Sequence, residues 1–214
     1  MLSRRAWLRL IGGFVAAFAA GVIVAIAVKR AGGWQAGTGW DRTVLKHSHP
    51  ALPRWADTIL LLVPWLGTNI TYFALLIPFS VWLRRIHRSE IAAELWVAVI
   101  GNYLLNLVTK AAFGRPRPAL WTRRGEYTWT AYPSGHAIAM ISVLLFGAWI
   151  LHRERGRIWA YIVWLPLFAA TCYSRLYLGV HWPTDLVGGI AIGVVWLATL
   201  WLTFRRDDWR VAHG

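Results

Sequence analysis

"LIGGFVAAFAAGVIVAIAV", from Leu10 to Val28, contains no charged residue. A helix needs about 20 predominantly apolar residues to cross a lipid bilayer, and this run is of that kind. Five further uncharged runs follow it: Thr58–Leu83, Leu95–Thr109, Ala137–Leu151, Ile158–Ser174 and Leu186–Phe204. We therefore predict an all-α, polytopic membrane helical bundle in a single domain, residues 1–214, with six transmembrane helices at about 10–28, 58–83, 91–109, 134–151, 158–174 and 183–204.

The composition limits the classes of partner. Hydrophobic residues make up 57% of the chain, and the formal net charge is +14. A basic soluble protein of this kind would suggest nucleic acid, but here Lys and Arg flank the apolar runs as membrane anchors. We expect no nucleic-acid partner. The single cysteine, Cys172, rules out an internal disulfide and a thiolate metal cluster.

The distribution of basic residues predicts the orientation. Four short segments on one side of the membrane hold 12 Lys or Arg, namely the N-terminus, residues 84–90, residues 152–157 and the segment from Arg205. The segments on the other side hold 11, but three of these, Lys110, Arg117 and Arg175, have another explanation. The positive-inside rule is strongest for such short segments. We predict cytoplasmic termini in a cell membrane. The longest connection, residues 29–57, is predicted to be a flexible link that is followed by a short interfacial helix.

The stretch "KAAFGRPRP", Lys110 to Pro118, directly follows the third run. Lys110 offers a mobile point charge and Arg117 a planar fork, and the two are complementary ways to hold phosphate oxygens. The alternative is that both are ordinary cations that flank a membrane span.

The stretch "YPSGHA", Tyr132 to Ala137, directly precedes the fourth run. Ser134 is a favourable helix N-cap, which leaves the backbone N–H groups of Gly135 and His136 at a helix N-terminus, where anions bind. A capping turn alone would also explain the pattern.

The stretch "SRLYLGVHWPTD", Ser174 to Asp185, lies between the last two runs. Pro183 suits the first position of a helix, which places Asp185 in its first turn. From there Asp185 can reach the Nδ1–H of His181 and leave Nε2 free as a nucleophile. A purely structural His–Asp pair is the alternative.

The predicted topology brings these stretches together. Six spans place the ends of the third and fifth spans, and the starts of the fourth and sixth, on the same membrane face in either orientation. We therefore expect one site on that face, with cations for an anionic substrate, a nucleophile and an acid.

Three ordered patterns, K-x6-R-P, P-S-G-H and S-R-x5-H-x3-D, make the chain resemble the type 2 phosphatidic acid phosphatase superfamily. The resemblance implies a membrane lipid phosphatase that uses no metal and no cofactor and forms a phosphohistidine. It implies that His181 is the nucleophile, Asp185 its orienting partner and His136 the acid. It also implies that the phosphate is bound by Lys110, Arg117, Ser134, Gly135 and Arg175.

Several functions remain open at this point. Undecaprenyl diphosphate, presented on the extracytoplasmic (periplasmic) face, is the first choice of substrate, and phosphatidylglycerol phosphate and phosphatidic acid are alternatives. Phosphate transfer to another lipid is a further possibility. A transporter is the alternative from another class, but polar residues at one membrane face rather than at the midplane weigh against it. A catalytically silent lipid-binding protein is a third reading.

A few other polar or small residues have predicted roles. Asn102 and Asn106 share a helix face with Lys110 and are expected to form interhelical hydrogen bonds or to line the cavity. Gly189 and Gly193 predict close helix packing, and Glu94 is expected to reach interfacial water. A solvated loop is expected to hold Arg123, Arg124 and Glu126.

Overall fold

The computed structural model describes residues 2–121 and 130–205, and the secondary structure in these residues is helical, without a strand. Arg123, Arg124 and Glu126 lie outside the described residues. The helices are α1 (Arg4–Arg30), α2 (Gly39–His47), α3 (Arg54–Leu62), α4 (Asn69–Arg85), α5 (Ser89–Phe113), α6 (Gly135–Ala139), α7 (Phe146–Arg155), α8 (Trp159–Tyr177) and α9 (Pro183–Phe204).

α1 begins at a side-chain cap, because the Ser3 hydroxyl accepts a hydrogen bond from the Ala6 N–H at 3.1 Å. Its buried residues recur every three to seven positions, which places them on one stripe: Ala6, Leu10, Ala17, Gly21, Ala25 and Val28. That stripe packs against α9, and the interface between these two helices is the most extensive among the described elements. The first and last helices of the fold are therefore neighbours.

Within the described residues, four helical segments are long and apolar enough to cross a membrane: Arg4–Arg30, Ser89–Phe113, Gly135–Arg155 and Pro183–Phe204. A fifth candidate is the pair Arg54–Gly67 and Asn69–Arg85, which is bent by 58° at the break between them. A 3₁₀ turn at Val63–Gly67 interrupts the helix in the segment predicted as a span at 58–83, and that span stays a prediction. α8 is not among these candidates, and the count of six spans stays a prediction.

The span Gly135–Arg155 consists of α6, a π-helical stretch at Met140–Leu145 and α7. The Trp164 indole N–H donates to the carbonyl of Met140 at 2.6 Å, which satisfies a group at the start of the irregular stretch. α9 packs closely on α6, because a Cβ at Gly189 would lie 2.5 Å from the Ser134 carbonyl oxygen. The predicted close packing at Gly189 and Gly193 is confirmed.

The connection between α1 and α3 contains a capped helix. Thr38 and Asp41 form a capping box, in which each side chain accepts a hydrogen bond of 3.0 Å from the other residue's backbone N–H. The Asp41 side chain is fully buried. The connection predicted at residues 29–57, a link followed by a short helix, thus contains a short helix at residues 39–47, and the interfacial position of that helix stays a prediction.

A charged cluster lies at the opposite end of α5 from Lys110. Arg153 Nη2 lies 2.9 Å from Glu94 Oε2, an ion pair that lacks hydrogen-bond geometry. Arg88 Nη1 donates to Glu154 Oε2 at 3.0 Å. Glu94 is only 5% exposed, so the prediction that it reaches interfacial water is wrong: it pairs with an arginine of α7.

Candidate active site

Lys110 occupies the last turn of α5, which ends at Gly114 in the left-handed conformation (φ 55°). The lysine is 9% exposed, and its Nζ donates to the Thr130 carbonyl at 2.6 Å. A glycine terminates the helix here because this backbone conformation is unfavourable for residues with a Cβ. The chain can then turn sharply and return Arg117 to the same end of the bundle.

Arg117 connects the first motif to the third. Its Nη1 donates to the Val180 carbonyl at 2.5 Å, and the Trp182 indole donates to the Pro116 carbonyl at 3.1 Å. The loop before α6 is also attached, because the Ala131 N–H donates to the Arg115 carbonyl at 2.8 Å. These contacts hold the three motifs in one cluster, in agreement with the predicted shared face.

Ser134 is the N-cap of α6, as predicted, but its hydroxyl makes no capping hydrogen bond. Instead its Oγ is buried and without a hydrogen-bond partner among the described residues. Its backbone N–H donates to the Asp185 carbonyl at 3.0 Å, which joins the second motif to the first turn of α9. A buried hydroxyl of this kind is available to a ligand.

The Asn106 side chain of α5 closely approaches Gly135. A Cβ at Gly135 would lie 2.8 Å from Asn106 Oδ1, and this oxygen is buried without a hydrogen-bond partner among the described residues. Asn106 therefore lies against the start of α6. Asn102, one turn earlier, donates from Nδ2 to Asn69 Oδ1 of α4 at 2.7 Å, which is the interhelical bond predicted for it.

The bend between α3 and α4 lies beside His136. A Cβ at Gly67 would lie 3.1 Å from the Cδ2 atom of the His136 ring. Gly67 ends the 3₁₀ turn that interrupts the second apolar run. The bend between α3 and α4 therefore places a glycine, which has no side chain, next to the half-buried ring of His136.

The third motif begins at the C-terminal end of α8. Arg175 is buried and donates from Nε to Ser174 Oγ at 3.3 Å. The chain then turns through Gly179 (φ 65°), and the Val180 N–H donates to the Arg175 carbonyl at 3.1 Å. This tight turn leads directly into His181, which is 3% exposed.

Asp185 lies in the first turn of α9, as predicted, with Pro183 at the first helical position. Its Oδ2 accepts a hydrogen bond from the Trp182 N–H at 2.8 Å. The same oxygen lies 3.5 Å from His181 Nδ1, which is longer than a good hydrogen bond. His181 Nδ1 has no hydrogen-bond partner among the described residues.

His181 lies in a strongly positive environment. Burial lowers the pKa of its imidazole well below the usual value, and the positive charges of Arg117, Lys110 and Arg175 act in the same direction. The neutral form of the ring is therefore favoured at neutral pH. A neutral imidazole has a free electron pair, as a nucleophile needs.

Three residues of this cluster were not identified from the sequence. Arg115, fully buried, donates from Nη1 to Asp185 Oδ1 at 2.6 Å and from Nη2 to Asp41 Oδ2 at 3.1 Å. Thr184 donates from its backbone N–H and its hydroxyl to the two Asp41 oxygens, at 2.9 Å each. Arg115 stands in the K-x6-R-P stretch, two residues before Arg117, while Asp41 carries no local signal beyond its place in a capping box.

In the part of the chain that the structure describes, no group of three or more His, Cys, Asp or Glu side chains is arranged to hold a metal ion.

Known proteins resemble this chain in sequence and in fold. The lipid A 4'-phosphatase of Porphyromonas gingivalis is 32% identical over 114 residues, which cover 49% of this chain and 47% of that protein. An undecaprenyl-diphosphatase of Sulfolobus acidocaldarius is 30% identical over 105 residues, or 49% of this chain and 44% of that protein. The chain thus matches less than half the length of these two relatives.

A solved structure matches almost the whole chain. It is a transmembrane PAP2-type phosphatidylglycerolphosphate phosphatase from Bacillus subtilis, with a TM-score of 0.74 and 20% identity, covering 94% of this chain and 97% of that one. The likeness confirms the predicted all-α polytopic membrane bundle. Residues 91–209, which contain all three motifs, match the sequence profile of the PAP2 superfamily. The chain therefore belongs to the PAP2 superfamily.

Proposed function

We propose that this protein is an integral-membrane phosphatase that hydrolyses a lipid phosphate or diphosphate without a metal ion, through a phosphohistidine intermediate. The observation that carries the proposal is the environment of His181. It is a buried histidine whose pKa is lowered by burial and by the charges of Arg117, Lys110 and Arg175. The same cations that favour the neutral imidazole are suited to bind a phosphate group.

In the first step, His181 Nε2 attacks phosphorus and forms a P–N bond. The P–O bond to the leaving group breaks, and His136 donates a proton to the departing oxygen. Lys110, Arg117 and Arg175 stabilise the negative charge on the phosphoryl oxygens, together with the N–H groups at the start of α6 and the Ser134 hydroxyl. Phosphoryl transfer depends mainly on such alignment and charge stabilisation.

In the second step, water attacks the phosphohistidine. His136, now neutral, accepts a proton from the water, and the P–N bond breaks with its electron pair returning to His181. Inorganic phosphate leaves, and both histidines recover their initial protonation states. Asp185, 3.5 Å from His181 Nδ1, favours the positively charged imidazole of the intermediate.

Undecaprenyl diphosphate is the proposed substrate, and it is hydrolysed to undecaprenyl phosphate. Support for this lipid comes from a relative named undecaprenyl-diphosphatase, while the relative named for lipid A supports only the wider class of lipid phosphates. Phosphatidylglycerol phosphate and phosphatidic acid are the alternatives, and a phosphohistidine can also pass its group to a second lipid. The three motifs lie at the ends of helices, which in the proposed orientation places them at the depth of lipid headgroups.

The proposed location is a cell membrane, with both termini cytoplasmic and the site on the extracytoplasmic face. Membrane-impermeant thiol labelling tests the orientation. In a Cys172→Ser background, Gln35→Cys lies in the exposed loop at the site end, and His87→Cys lies in the exposed turn at the other end. Intact cells should label only Gln35→Cys, and the reverse pattern would invert the topology.

A direct assay tests the activity. Purified protein in excess EDTA should release phosphate from one or more of the three lipids, and vanadate, which mimics the transition state, should inhibit it. A short incubation with labelled substrate should trap phosphate on the wild-type protein. Loss of activity in EDTA with recovery in Mg²⁺, or a preference for p-nitrophenyl phosphate over every lipid, would contradict the proposal.

A further inference from the structure

A network of three charged side chains lies next to His181 and is closed to solvent. Asp41, Arg115 and Asp185 are each 0% exposed. Arg115 contacts both carboxylates and also donates to two backbone carbonyls, to Gly33 from Nη2 at 2.8 Å and to Trp34 from Nε at 3.2 Å. The network therefore joins four parts of the chain: the end of α1, α2, the turn after α5, and the first turn of α9.

Stability alone is a poor explanation for this arrangement. Removing charged groups from water is unfavourable, and buried ion pairs often contribute no more to stability than apolar residues of the same volume would. Here the Arg115 guanidinium is paired with two carboxylates, those of Asp41 and Asp185, so the three side chains together bury a net negative charge. A buried polar network does, however, fix the orientation of every group it contains.

The orientation that it fixes is that of the Asp185 carboxylate. Arg115 holds Oδ1 at 2.6 Å, and the Trp182 N–H holds Oδ2 at 2.8 Å. With both oxygens held, the carboxylate cannot rotate, and Oδ2 is the atom that faces His181 Nδ1. Without Arg115, Oδ1 would be a buried acceptor with no partner, and the carboxylate would turn to find one.

Asp41 fixes the other side of the network. It accepts from the backbone N–H and the hydroxyl of Thr184, the residue directly before Asp185, and also from Arg115 Nη2. Asp41 therefore determines both where α9 begins and where the guanidinium lies. The residue comes from a connection more than 140 positions away along the chain.

We propose that Arg115 and Asp41 are positioning residues for catalysis, which hold the Asp185 carboxylate in the orientation that serves His181. The inference rests on the proposed function, because it concerns the histidine that the proposed reaction uses. Both side chains are fully buried, so their proposed role needs no contact with the substrate. Their contribution passes entirely through Asp185.

A double-mutant cycle tests this inference. Asp41→Asn keeps the size of the side chain but replaces the acceptor at one position by an amide. Arg115→Lys keeps the charge but cannot contact both carboxylates. Each should lower kcat by ~10–100-fold, as substitutions behind a directly acting group do, with KM changed less than threefold. In an Asp185→Asn background each should have almost no further effect, because residues that act through one another are not additive.

Arg42→Gln is the matched control, since Arg42 lies next to Asp41 on α2 but its side chain donates, within the described residues, to the carbonyls of Ala36 and Gly37 and to no member of the network. It should keep wild-type kcat. The melting temperature in detergent identifies any variant that fails to fold. Asp41→Asn is the milder of the two substitutions, because it keeps the size of the side chain.

The outcomes separate the two proposals. A wild-type protein that releases no phosphate from any of the three lipids and traps none would contradict the proposed function. An active wild type in which Asp41→Asn lowers kcat by the same factor with and without Asp185 would overturn this inference alone. So would an Asp41→Asn variant that folds and keeps wild-type kcat.

Discussion

The two ends of α5 carry two different kinds of charged network. At the Lys110 end, Arg115 pairs with Asp41 and Asp185, and all three side chains are 0% exposed. At the other end, Arg153 is 24% exposed and pairs with Glu94 and Glu154, while Arg88 is 47% exposed. Both networks connect helices that are distant in sequence.

The difference indicates what each network contributes. Solvent screens the pairs of Arg88, which is 47% exposed, and such pairs typically contribute about 0–1 kcal/mol each, whereas Glu94 in the same network is buried. The buried network has no solvent to replace a lost partner, so it determines geometry strictly. We therefore expect substitutions near the buried network to alter chemistry, and substitutions in the exposed network to alter it little.

The largest expected effect is that of His181→Asn. It removes the proposed nucleophile, and kcat should fall by at least ~10³-fold, as it does when a nucleophile is removed from other enzymes. The melting temperature should stay close to that of the wild type. His152→Asn, in the last turn of α7 at the exposed end, is the control and should keep its activity. Comparable activity in both variants would remove the functional distinction between the two ends.

Unfolding measurements compare the two networks directly. Arg115→Met leaves two carboxylates buried without their cation and should lower the free energy of unfolding by about 3–5 kcal/mol. Arg88→Gln should lower it by less than about 1 kcal/mol. Denaturation in mixed micelles, followed by Trp fluorescence, measures both values. Equal losses would show that burial does not distinguish the networks.

Helix packing beside the site provides a smaller effect. In Gly189→Ala the new methyl group would lie 2.5 Å from the Ser134 carbonyl oxygen, so α6 must move away from α9, at a cost of about 1–3 kcal/mol. Gly12→Ala, where a Cβ would meet no atom within 4 Å, is the control at the other end of the bundle. A Gly189→Ala variant as stable as Gly12→Ala would contradict the close packing.

The smallest expected effect concerns pH. Burial and the charges of Arg117, Lys110 and Arg175 lower the pKa of His181, so its neutral, nucleophilic form persists as the solution becomes more acidic. The acid limb of the kcat/KM profile should therefore lie below about 6.5, the usual pKa of histidine. Arg117→Gln removes one positive charge, raises the pKa and should move this limb to higher pH. A limb that moves to lower pH would contradict the role of that charge.

Local patterns allowed much of the site and the fold to be predicted. Ser134 and Pro183 are typical of helix starts, and both helices begin where these residues predict. The interruption of the second span was missed, because Pro64 and Gly67 lie within an uncharged run and do not lower its hydropathy enough to divide it. The chemical roles of His181, His136 and the phosphate-binding residues belong to the proposed phosphohistidine mechanism.

Ion pairs between residues that are far apart in the sequence could not be predicted. Arg115 and Asp41 are 74 residues apart, and nothing in either local pattern specifies the other. Glu94 was misread for the same reason, since its partner Arg153 lies on another helix. A single sequence identifies the groups that carry charge but not the partners that allow those groups to be buried.

The contact between α1 and α9 has a consequence for the order in which the fold assembles during synthesis. Ribosomes add about 5–20 residues per second, so roughly 8–30 s separate the synthesis of the end of α1 from that of Pro183, the first residue of α9. During that interval the apolar stripe of α1 lacks its neighbour α9, and Asp41 and Arg115, which contact each other, lack Thr184 and Asp185. The newborn chain must therefore keep these segments in the membrane without their core, and the site closes only when the last helix arrives.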